Sequence, residues 1–380
     1  MKRIVPLALL VCLVVSGLPV RAAPASVAAK SAILMDAATG TILYEQNSHE
    51  PLAPASVTKV MTLLLIFQAI DDGKIRLTDM VTASESAAAK GGSQVYLKVG
   101  ETMTVEDMVK SIAVSSANDC ACAMAEHISG SEEAFVAAMN QKAKDLGMED
   151  THFVNCTGLD DSPEAAEHLT SAHDIALMSR ALIQDHPQVL GYTQIWMDTI
   201  RDGTFGLSNT NKLIRFYPGA TGLKTGFTST AGYCLSATAQ REGLELIAVV
   251  MGAETSRDRF AACKQLLDYG FANYALVSPQ TDAAQVPVRL GTAKTVEAVP
   301  ARDPQLLVDK AQRDQVSTET KLESAVTAPV SQGQRLGTLT IRSGDQVLAQ
   351  IPLVAKAPVQ KLTFSQMFAI ILRHIAMARR

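Results

Sequence analysis

Three short motifs in this sequence could together perform nucleophilic chemistry. The first, Ser56-Val57-Thr58-Lys59, places a serine hydroxyl and a lysine amine three residues apart, on the same face of a helix. A serine is a weak nucleophile until a base takes its proton, and a lysine can be that base only if burial or another cation lowers its pKa. A helix N-terminus here would add N–H groups for a developing oxyanion. Alone, the motif is equally typical of a helix N-cap followed by a solvated lysine.

The other two motifs follow in order along the chain. Ser116-Ala117-Asn118 lies at the foot of a helical run, and Lys224-Thr225-Gly226 lies in a strand-like stretch. A lysine on a strand can present its charge over a cleft, while the neighbouring glycine lets a substrate backbone approach. Each triplet alone is common as a helix cap or a turn. The ordered set of three is much more specific than any one of them.

The elements that must position these motifs are predicted from hydrophobic periodicity. Two apolar runs flank Ala37-Ala38-Thr39-Gly40, which indicates an N-terminal hairpin. Helical spacing is found over residues 56–71, 105–128, 132–146, 171–183 and 257–269. Strand-like runs are found over residues 219–228, 233–240 and 244–252. The order predicts an α/β (α+β) domain in which the hairpin joins the late strands in one antiparallel sheet.

The pattern changes after about residue 277. Short alternating or apolar runs, separated by Gly, Asp and Ser, occur over residues 286–290, 295–299, 306–308, 335–341 and 347–354. This pattern predicts a small all-β module, and no cluster of chemically active residues within it suggests a reaction.

The N-terminus is typical of a signal peptide. Lys2 and Arg3 precede an apolar run over residues 4–15, and Val20-Arg21-Ala22 offers small residues where a signal peptidase needs them. We therefore predict cleavage after Ala22 and export from the cytoplasm. An uncleaved anchor or a buried N-terminal helix is the alternative interpretation.

The C-terminus predicts a basic amphipathic helix. In 364–380 one helical stripe is apolar and the arginines lie opposite or on its flanks, while Thr363 and Gln366 have the spacing of a capping box. Such a helix fits an interfacial anchor on an anionic membrane surface. The alternative is a helix that docks on its own protein.

Charge and cysteine content narrow the class of protein. The chain has 34 Lys+Arg against 38 Asp+Glu, a formal net charge of -4, so we expect no nucleic-acid partner. The five cysteines beyond the signal sequence are predicted to be mostly small core residues, and whether any pair is left open: Cys120, Cys122, Cys156, Cys234 and Cys263. Metal-ligand spacings such as Cys-x-x-Cys and His-Glu-x-x-His are absent from the sequence, so we expect no metal and no cofactor.

The ordered motif set is that of penicillin-binding proteins and class A β-lactamases. The chain resembles a serine-type D-Ala-D-Ala carboxypeptidase of peptidase family S11, a low-molecular-mass penicillin-binding protein. The resemblance extends to the stretches 155–160, which reads Asn-Cys-Thr-Gly-Leu-Asp, and 168–174, which reads His-Leu-Thr-Ser-Ala-His-Asp. It implies a β-lactamase/transpeptidase-like catalytic domain with a central antiparallel sheet, a small all-β domain and a C-terminal amphipathic helix.

The resemblance also implies roles for the catalytic residues. Ser56 is expected to be the acylated nucleophile and Lys59 the general base that activates it. Ser116 is expected to relay a proton to the leaving D-Ala amine. Asn118 is expected to hydrogen-bond the substrate amide and Lys59.

The third motif is expected to bind substrate. By resemblance, Lys224 and Thr225 hold the terminal carboxylate, and Gly226 leaves room for the substrate backbone. The N–H groups of Ser56 and Phe227 form the oxyanion hole, although some relatives have His where this chain has Phe227. Arg259 lies where some relatives place an arginine behind the strand lysine that supports carboxylate recognition.

These expectations define an exported, membrane-associated hydrolase. Its substrate would be the peptidoglycan pentapeptide, and β-lactam antibiotics would acylate the same serine. A transpeptidase or endopeptidase on the same peptides is the main alternative. A β-lactamase would need a Glu-x-x-x-Asn base that we do not find, and an inert wall-binding protein would be expected to have broken motifs.

The expected organisation has four parts. Residues 1–22 form the signal peptide, 23–276 the catalytic domain, 277–358 the all-β domain and 359–380 the membrane-anchor helix. The expected location is the outer face of the bacterial cytoplasmic membrane.

Overall fold

Strands that are distant in sequence meet in one antiparallel sheet in the computed structural model of this chain. The structure describes residues 25–279 and 284–377. The predicted signal peptide and its cleavage site after Ala22 lie outside the described residues. Within them the α-helices are α1 (Lys59–Asp71), α2 (Glu85–Ala88), α3 (Val105–Ser115), α4 (Asn118–Ser129), α5 (Glu132–Asp145), α6 (Ala172–Asp185), α7 (Leu190–Thr193), α8 (Leu213–Phe216), α9 (Ser256–Asn273) and α10 (Phe364–Met377). The strands are β1 (Ser31–Asp36), β2 (Ile42–Gln46), β3 (Met80–Thr82), β4 (Thr102–Thr104), β5 (Met197–Ile200), β6 (Phe205–Ser208), β7 (Ala220–Thr228), β8 (Gly232–Arg241), β9 (Leu244–Ala253), β10 (Tyr274–Val277), β11 (Ala284–Arg289), β12 (Thr295–Pro300), β13 (Leu306–Asp309), β14 (Val316–Leu322), β15 (Val326–Thr327), β16 (Arg335–Ser343) and β17 (Gln346–Ala355).

The main sheet has the strand order β2-β1-β9-β8-β7, and every neighbouring pair is antiparallel. The predicted N-terminal hairpin is confirmed, and β1 pairs along its whole length with β9, with Ile33 opposite Val249. The third motif therefore lies on β7, at the far edge of the sheet from β2.

Both faces of this sheet are covered by helices. Along β1, Ile33 and Met35 pack into one core with α1, α3 and α6, while Ala32 and Leu34 pack into a second core with α9. Because successive side chains of a strand point to opposite faces, a strand that is buried on both faces is mostly apolar. This explains the apolar runs within β1 and β9.

One helical prediction is wrong in a way that matters for the site. The run 105–128 is not one helix, because Ser116 adopts φ 64 and ψ 28 and ends α3, after which Asn118 begins α4. A left-handed residue cannot continue a right-handed α-helix. The start of the first helix also differs, since Ala55–Thr58 form a 3-10 turn and α1 begins at Lys59.

The predicted all-β module is a six-stranded sheet of order β14-β16-β17-β12-β11-β15 with its own apolar core, which includes Leu336, Leu339 and Ile341. Strand β13, which the sequence pattern placed in this module, instead pairs with β10. Strand β14 was not predicted, because its residues Val316–Leu322 are mostly exposed and polar.

The C-terminal helix α10 is confirmed over Phe364–Met377, and it begins with the predicted capping box. The side-chain Oε1 of Gln366 accepts a hydrogen bond from the backbone N–H of Thr363 at 2.9 Å, and the Thr363 hydroxyl accepts from the Gln366 N–H at 3.4 Å. Large apolar side chains of this helix are exposed, among them Phe364, Phe368 and Met377. Among the described residues, no helix has the length and apolarity needed to cross a membrane.

Candidate active site

The first motif forms a direct hydroxyl–amine pair. The Nζ of Lys59 donates to the Oγ of half-buried Ser56 at 3.0 Å, and it also donates to the backbone carbonyl of Thr157 at 2.8 Å. The 3-10 turn over Ala55–Thr58 explains the pairing, because residues three apart eclipse one another in such a turn. Lysine and serine are therefore held by the backbone in a geometry that permits proton transfer.

Lys59 is fully buried, with no solvent-exposed surface on its side chain. Burial lowers the pKa of Lys59 to about 7, because the low-dielectric interior disfavours the charged ammonium. Near neutral pH a substantial fraction of the amine is therefore uncharged and able to accept a proton. This meets the condition under which a lysine can serve as a base for serine.

A tight loop presents the Thr157 carbonyl to this lysine. The Oδ1 of Asn155 accepts from the backbone N–H groups of Thr157 and Gly158, which folds the loop on itself. Gly158 has φ +80, and a Cβ added there would lie 1.8 Å from the carbonyl oxygen of Ala55. Only glycine allows this loop to lie against the turn that carries the serine.

The second motif contributes two buried polar groups to the same region. Ser116 and Asn118 are 3% and 2% exposed, and neither the Oγ of Ser116 nor the Oδ1 of Asn118 has a hydrogen-bond partner among the described residues. The Nδ2 of Asn118 donates to the Gly91 carbonyl at 2.8 Å, which fixes the orientation of the amide. The expected hydrogen bond between Asn118 and Lys59 is not formed among the described residues, because Lys59 donates to Ser56 and Thr157. Leaving a buried polar atom unpaired costs about 1–3 kcal/mol, so a ligand that hydrogen-bonds to these two atoms would recover that cost.

The third motif packs against the 3-10 turn that carries Ser56. A Cβ on Gly226 would lie 2.6 Å from the Pro54 carbonyl oxygen and 3.1 Å from the backbone nitrogen of Ser56. The hydroxyl of Thr225 donates to the hydroxyl of Thr210 at 2.7 Å. The absence of a side chain at Gly226 thus brings β7 into backbone contact with the nucleophile's turn.

Lys224 is 1% exposed, and its Nζ donates to the carbonyl of Thr225 at 2.9 Å. Burial lowers the pKa of Lys224 well below its ordinary value, and the charges of Lys59 and Arg259 lower it further. An anionic ligand next to this amine would restore the charged form, because an opposite charge favours protonation. The arrangement is suited to binding a carboxylate.

Phe227 and Arg259 both contact Tyr233 on β8, the strand next to β7. Phe227 is 54% exposed and stacks on Tyr233 with ring centroids 4.3 Å apart. The Nη1 of Arg259 donates to the Gly226 carbonyl at 2.8 Å and to the Cys234 carbonyl at 3.3 Å. Arg259 therefore braces the strand, in addition to lowering the pKa of Lys224.

Several buried or half-buried groups of the site lie outside the three motifs. The Thr157 carbonyl, the Thr210 hydroxyl and buried His168, whose Nε2 lies 2.8 Å from the hydroxyl of Thr58, were given no role. Thr157 and His168 lie in the two stretches that resemble the peptidase family, and that resemblance was the available signal.

The cysteines that follow the predicted signal sequence are part of the protein core. All five described cysteines are buried and free of disulfides, in agreement with their prediction as core residues. Within residues 25–279 and 284–377, no group of three or more His, Cys, Asp or Glu side chains is placed to hold a metal ion.

Comparison with known proteins identifies the family. Residues 19–255 match the family model of peptidase S11, described as D-alanyl-D-alanine carboxypeptidase. The chain belongs to this family. Residues 271–361 match the C-terminal domain of penicillin-binding protein 5. The resemblance proposed from the motifs is confirmed, and the protein is a serine-type D-Ala-D-Ala carboxypeptidase and penicillin-binding protein that acts on peptidoglycan.

Individual relatives agree with this assignment. The chain is 44% identical over 343 residues to D-alanyl-D-alanine carboxypeptidase DacF of Bacillus subtilis, covering 88% of this chain and 87% of the relative. It is 35% identical over 350 residues to DacC of Escherichia coli, covering 88% and 85%.

Solved structures support the fold of the carboxypeptidase. Penicillin-binding protein 5 of Haemophilus influenzae matches with a TM-score of 0.76 and 30% identity, covering 90% of this chain and 100% of that one. Penicillin-binding protein D2 of Listeria monocytogenes, solved in an ampicillin-bound form, matches with a TM-score of 0.60 and 32% identity, covering 66% and 100%. The predicted architecture of an α/β catalytic domain, a β-rich domain and a C-terminal helix is therefore confirmed.

Proposed function

We propose that the carboxypeptidase removes the terminal D-Ala of peptidoglycan stem peptides through an acyl-enzyme on Ser56. The observation that carries this proposal is the 3.0 Å contact between the Ser56 hydroxyl and the buried amine of Lys59, whose pKa is about 7. Neutral Lys59 takes the hydroxyl proton while the Ser56 Oγ attacks the carbonyl carbon of the penultimate D-Ala. The terminal D-Ala leaves as a free amine after it receives a proton.

The second motif supplies the proton path and the substrate contacts. The unpaired Ser116 hydroxyl passes a proton to the leaving amine, and the unpaired Asn118 amide oxygen accepts the substrate N–H. Water then attacks the ester carbon of the acyl-enzyme, which frees the shortened peptide as a carboxylate and returns the proton to Ser56. These roles use two buried atoms of the site that have no hydrogen-bond partner among the described residues.

The third motif binds the substrate's terminus. Lys224 and Thr225 hold the terminal carboxylate, while Gly226 lets the substrate backbone pass close to the strand. The N–H groups of Ser56 and Phe227 stabilise the oxyanion, and the close packing of Gly226 against the Ser56 nitrogen supports their placement on facing segments. Arg259 acts from behind β7 by keeping that strand in position.

The test combines covalent labelling with product analysis. Mass spectrometry of the Ser56-containing peptide after penicillin treatment should show one acyl adduct, and a pentapeptide should release free D-Ala. The variant S56A should lose both. Covalent labelling that persists in S56A would disprove the mechanism.

The same assays separate the neighbouring activities. Transfer of the peptide to an added amine would indicate a transpeptidase, and cleavage of a cross-linked dimer would indicate an endopeptidase. Sustained turnover of a chromogenic cephalosporin would indicate a β-lactamase. We expect release of D-Ala to water to dominate.

We further propose that α10 holds the exported enzyme on the outer face of the cytoplasmic membrane. The exposed apolar side chains Phe364, Phe368 and Ile371 and the basic composition of the C-terminus support this placement. Deletion of residues 361–380 should abolish binding to anionic vesicles while D-Ala release persists. F368E should weaken vesicle binding, whereas F216E, at a residue that is 67% exposed in the catalytic part, serves as the matched control.

The division of the chain follows from these roles. We propose a signal peptide over 1–22, a catalytic domain over 23–276, a β domain over 277–358 and the anchor over 359–380. The boundary after residue 276 falls within β10, which pairs with β13. Because this pairing crosses the boundary, experiments on the chain from residue 23 should keep the β domain.

A further inference from the structure

The turn that carries Ser56 is held by an unbroken chain of hydrogen bonds that the mechanism does not use. The hydroxyl of Thr58 donates to the carbonyl of Ala55 at 2.8 Å, and Thr58 is fully buried. The Nε2 of His168 lies 2.8 Å from the same hydroxyl. His168, which is 110 residues from Thr58 in the chain, therefore bonds directly to the turn that carries the nucleophile.

The direction of this chain follows from the imidazole. The backbone N–H of Val154 donates to Nδ1 of His168 at 3.1 Å, so Nδ1 is the acceptor and Nε2 carries the proton. Nε2 must then donate to the hydroxyl of Thr58, which leaves the hydroxyl's own proton for the Ala55 carbonyl. The imidazole and the Thr58 hydroxyl each donate once and accept once, so the direction of every hydrogen bond from Val154 to Ala55 is fixed.

The peptide that this chain grips is strained. Ala55 has φ 49, in the left-handed region that costs an alanine about 1–2 kcal/mol. Such strain persists only where the surroundings over-determine the conformation. Here the Thr58 hydroxyl holds the Ala55 carbonyl, and Gly158 packs against the same oxygen.

One imidazole thereby couples two parts of the site. Through Val154, His168 is joined to the loop whose Thr157 carbonyl accepts from Lys59. Through Thr58, it is joined to the turn that presents Ser56. The distance between the Ser56 hydroxyl and the Lys59 amine thus depends on His168, whose side chain contacts neither group.

We propose that His168 is a positioning residue for the nucleophile: acting through Thr58, it fixes the Ala55 peptide and with it the direction in which the Ser56 hydroxyl projects. This inference rests on the proposed role of Ser56. Breaking the chain should lower the rate of acylation without weakening binding, because a displacement of about 1 Å at a reacting group can reduce the rate by about 100-fold.

The variant T58V removes the hydroxyl and keeps the side chain's shape, while T58S keeps the hydroxyl. Acylation by a fluorescent penicillin should be resolved into its binding constant and its acylation rate constant. We expect T58V to lower the rate constant by about 10- to 100-fold with the binding constant within about threefold, and T58S to restore the rate. The same split should appear in H168N, which removes the Nε2 donor.

The matched control is T170V. Thr170 is fully buried two residues from His168, and its hydroxyl pairs with Thr151 at 2.7 Å, not with the turn of Ser56. It should keep the acylation rate constant within about threefold of wild type, even if its thermal midpoint falls as far as that of T58V.

The double variant T58V/H168N tests the coupling. If the two residues act as one chain, its rate should equal that of T58V alone. The proposal would be overturned if the losses in acylation rate of T58V and H168N multiply in the double variant, or if T170V loses as much rate as T58V. It would also be overturned if T58V and H168N change only the binding constant. If T58V does not fold, the comparison of H168N with T170V decides. Failure of the proposed function is distinguishable, because wild type itself would then form no adduct on Ser56.

Discussion

Gly226 and Ser56 are in backbone contact: a Cβ added to the glycine would lie 3.1 Å from the serine's nitrogen and 2.6 Å from the Pro54 carbonyl oxygen. We therefore expect G226A to push β7 away from the nucleophile's turn and to lower penicillin acylation by about 100-fold. The rate of adduct formation on Ser56 measures this. The matched strand variant G206A, which has open space around it, should acylate normally. Near-normal acylation in G226A would show that the contact is dispensable.

The burial of Lys59 predicts a pH dependence of acylation. The protonated amine cannot accept the serine proton, so the acylation rate should rise as pH increases through about 7, the pKa of Lys59. The variant K59R remains charged across this range and should lose at least about 1000-fold in rate. The exposed K74R is the control. A wild-type rate that is flat between pH 5.5 and pH 8 would contradict the role of Lys59 as base.

The position of Lys224 predicts a preference for a free carboxylate. We expect K224A to reduce kcat/KM for a pentapeptide by roughly 30- to 1000-fold, because a charge-assisted contact with the terminus is lost. A pentapeptide ending in an amide should be a poor substrate of wild type and should be affected little by K224A. Exposed K264A serves as the control. If K224A impairs both peptides equally, Lys224 does not recognise the carboxylate.

His168 predicts a loss of stability in acid. Burial lowers the pKa of His168 from 6.5 to about 4, with the nearby His152 and Lys59 contributing in the same direction. The unfolded chain then binds this proton near pH 6.5, whereas the folded protein binds it only near pH 4. The free energy of unfolding therefore decreases as pH falls from about 6.5 to about 4. Protonation of His168 accounts for about 3 kcal/mol of this decrease.

The comparison of H168N with wild type measures this contribution. Unfolding by denaturant at pH 7.5 and at pH 4.5 should show a smaller pH-dependent loss in H168N than in wild type. The exposed H127N should behave like wild type. If wild type, H168N and H127N lose the same free energy of unfolding between pH 7.5 and pH 4.5, other groups cause the acid sensitivity.

Much of the fold could be predicted because its signals are local. The hairpin at residues 37–40, the strand-like runs of β7 to β9 and the helical periodicities each depend on neighbouring residues. The three motifs also lie within short stretches, so Ser56, Lys59 and Lys224 could be chosen from sequence. Their order along the chain then pointed to the family.

The remainder depends on contacts between distant segments. The Thr157 carbonyl that accepts from Lys59 is a backbone atom 98 residues away, and no side-chain pattern marks it. The break at Ser116 was missed because a serine, not a glycine, takes the left-handed conformation there. Strand β14 has an exposed polar composition, and its pairing with β16 supplies the order that its sequence does not show.

The pairing of β1 with β9 has a consequence for when activity can arise. Ser56 is synthesised early, yet the sheet that brings β7 beside it is closed only by β8 and β9, which end at Ala253. A chain that emerges N-terminus first therefore carries its nucleophile through most of biosynthesis without the partners that make it reactive. Reactivity toward penicillin can accordingly report that the catalytic sheet has finished folding, which makes the antibiotic a probe of maturation as well as an inhibitor.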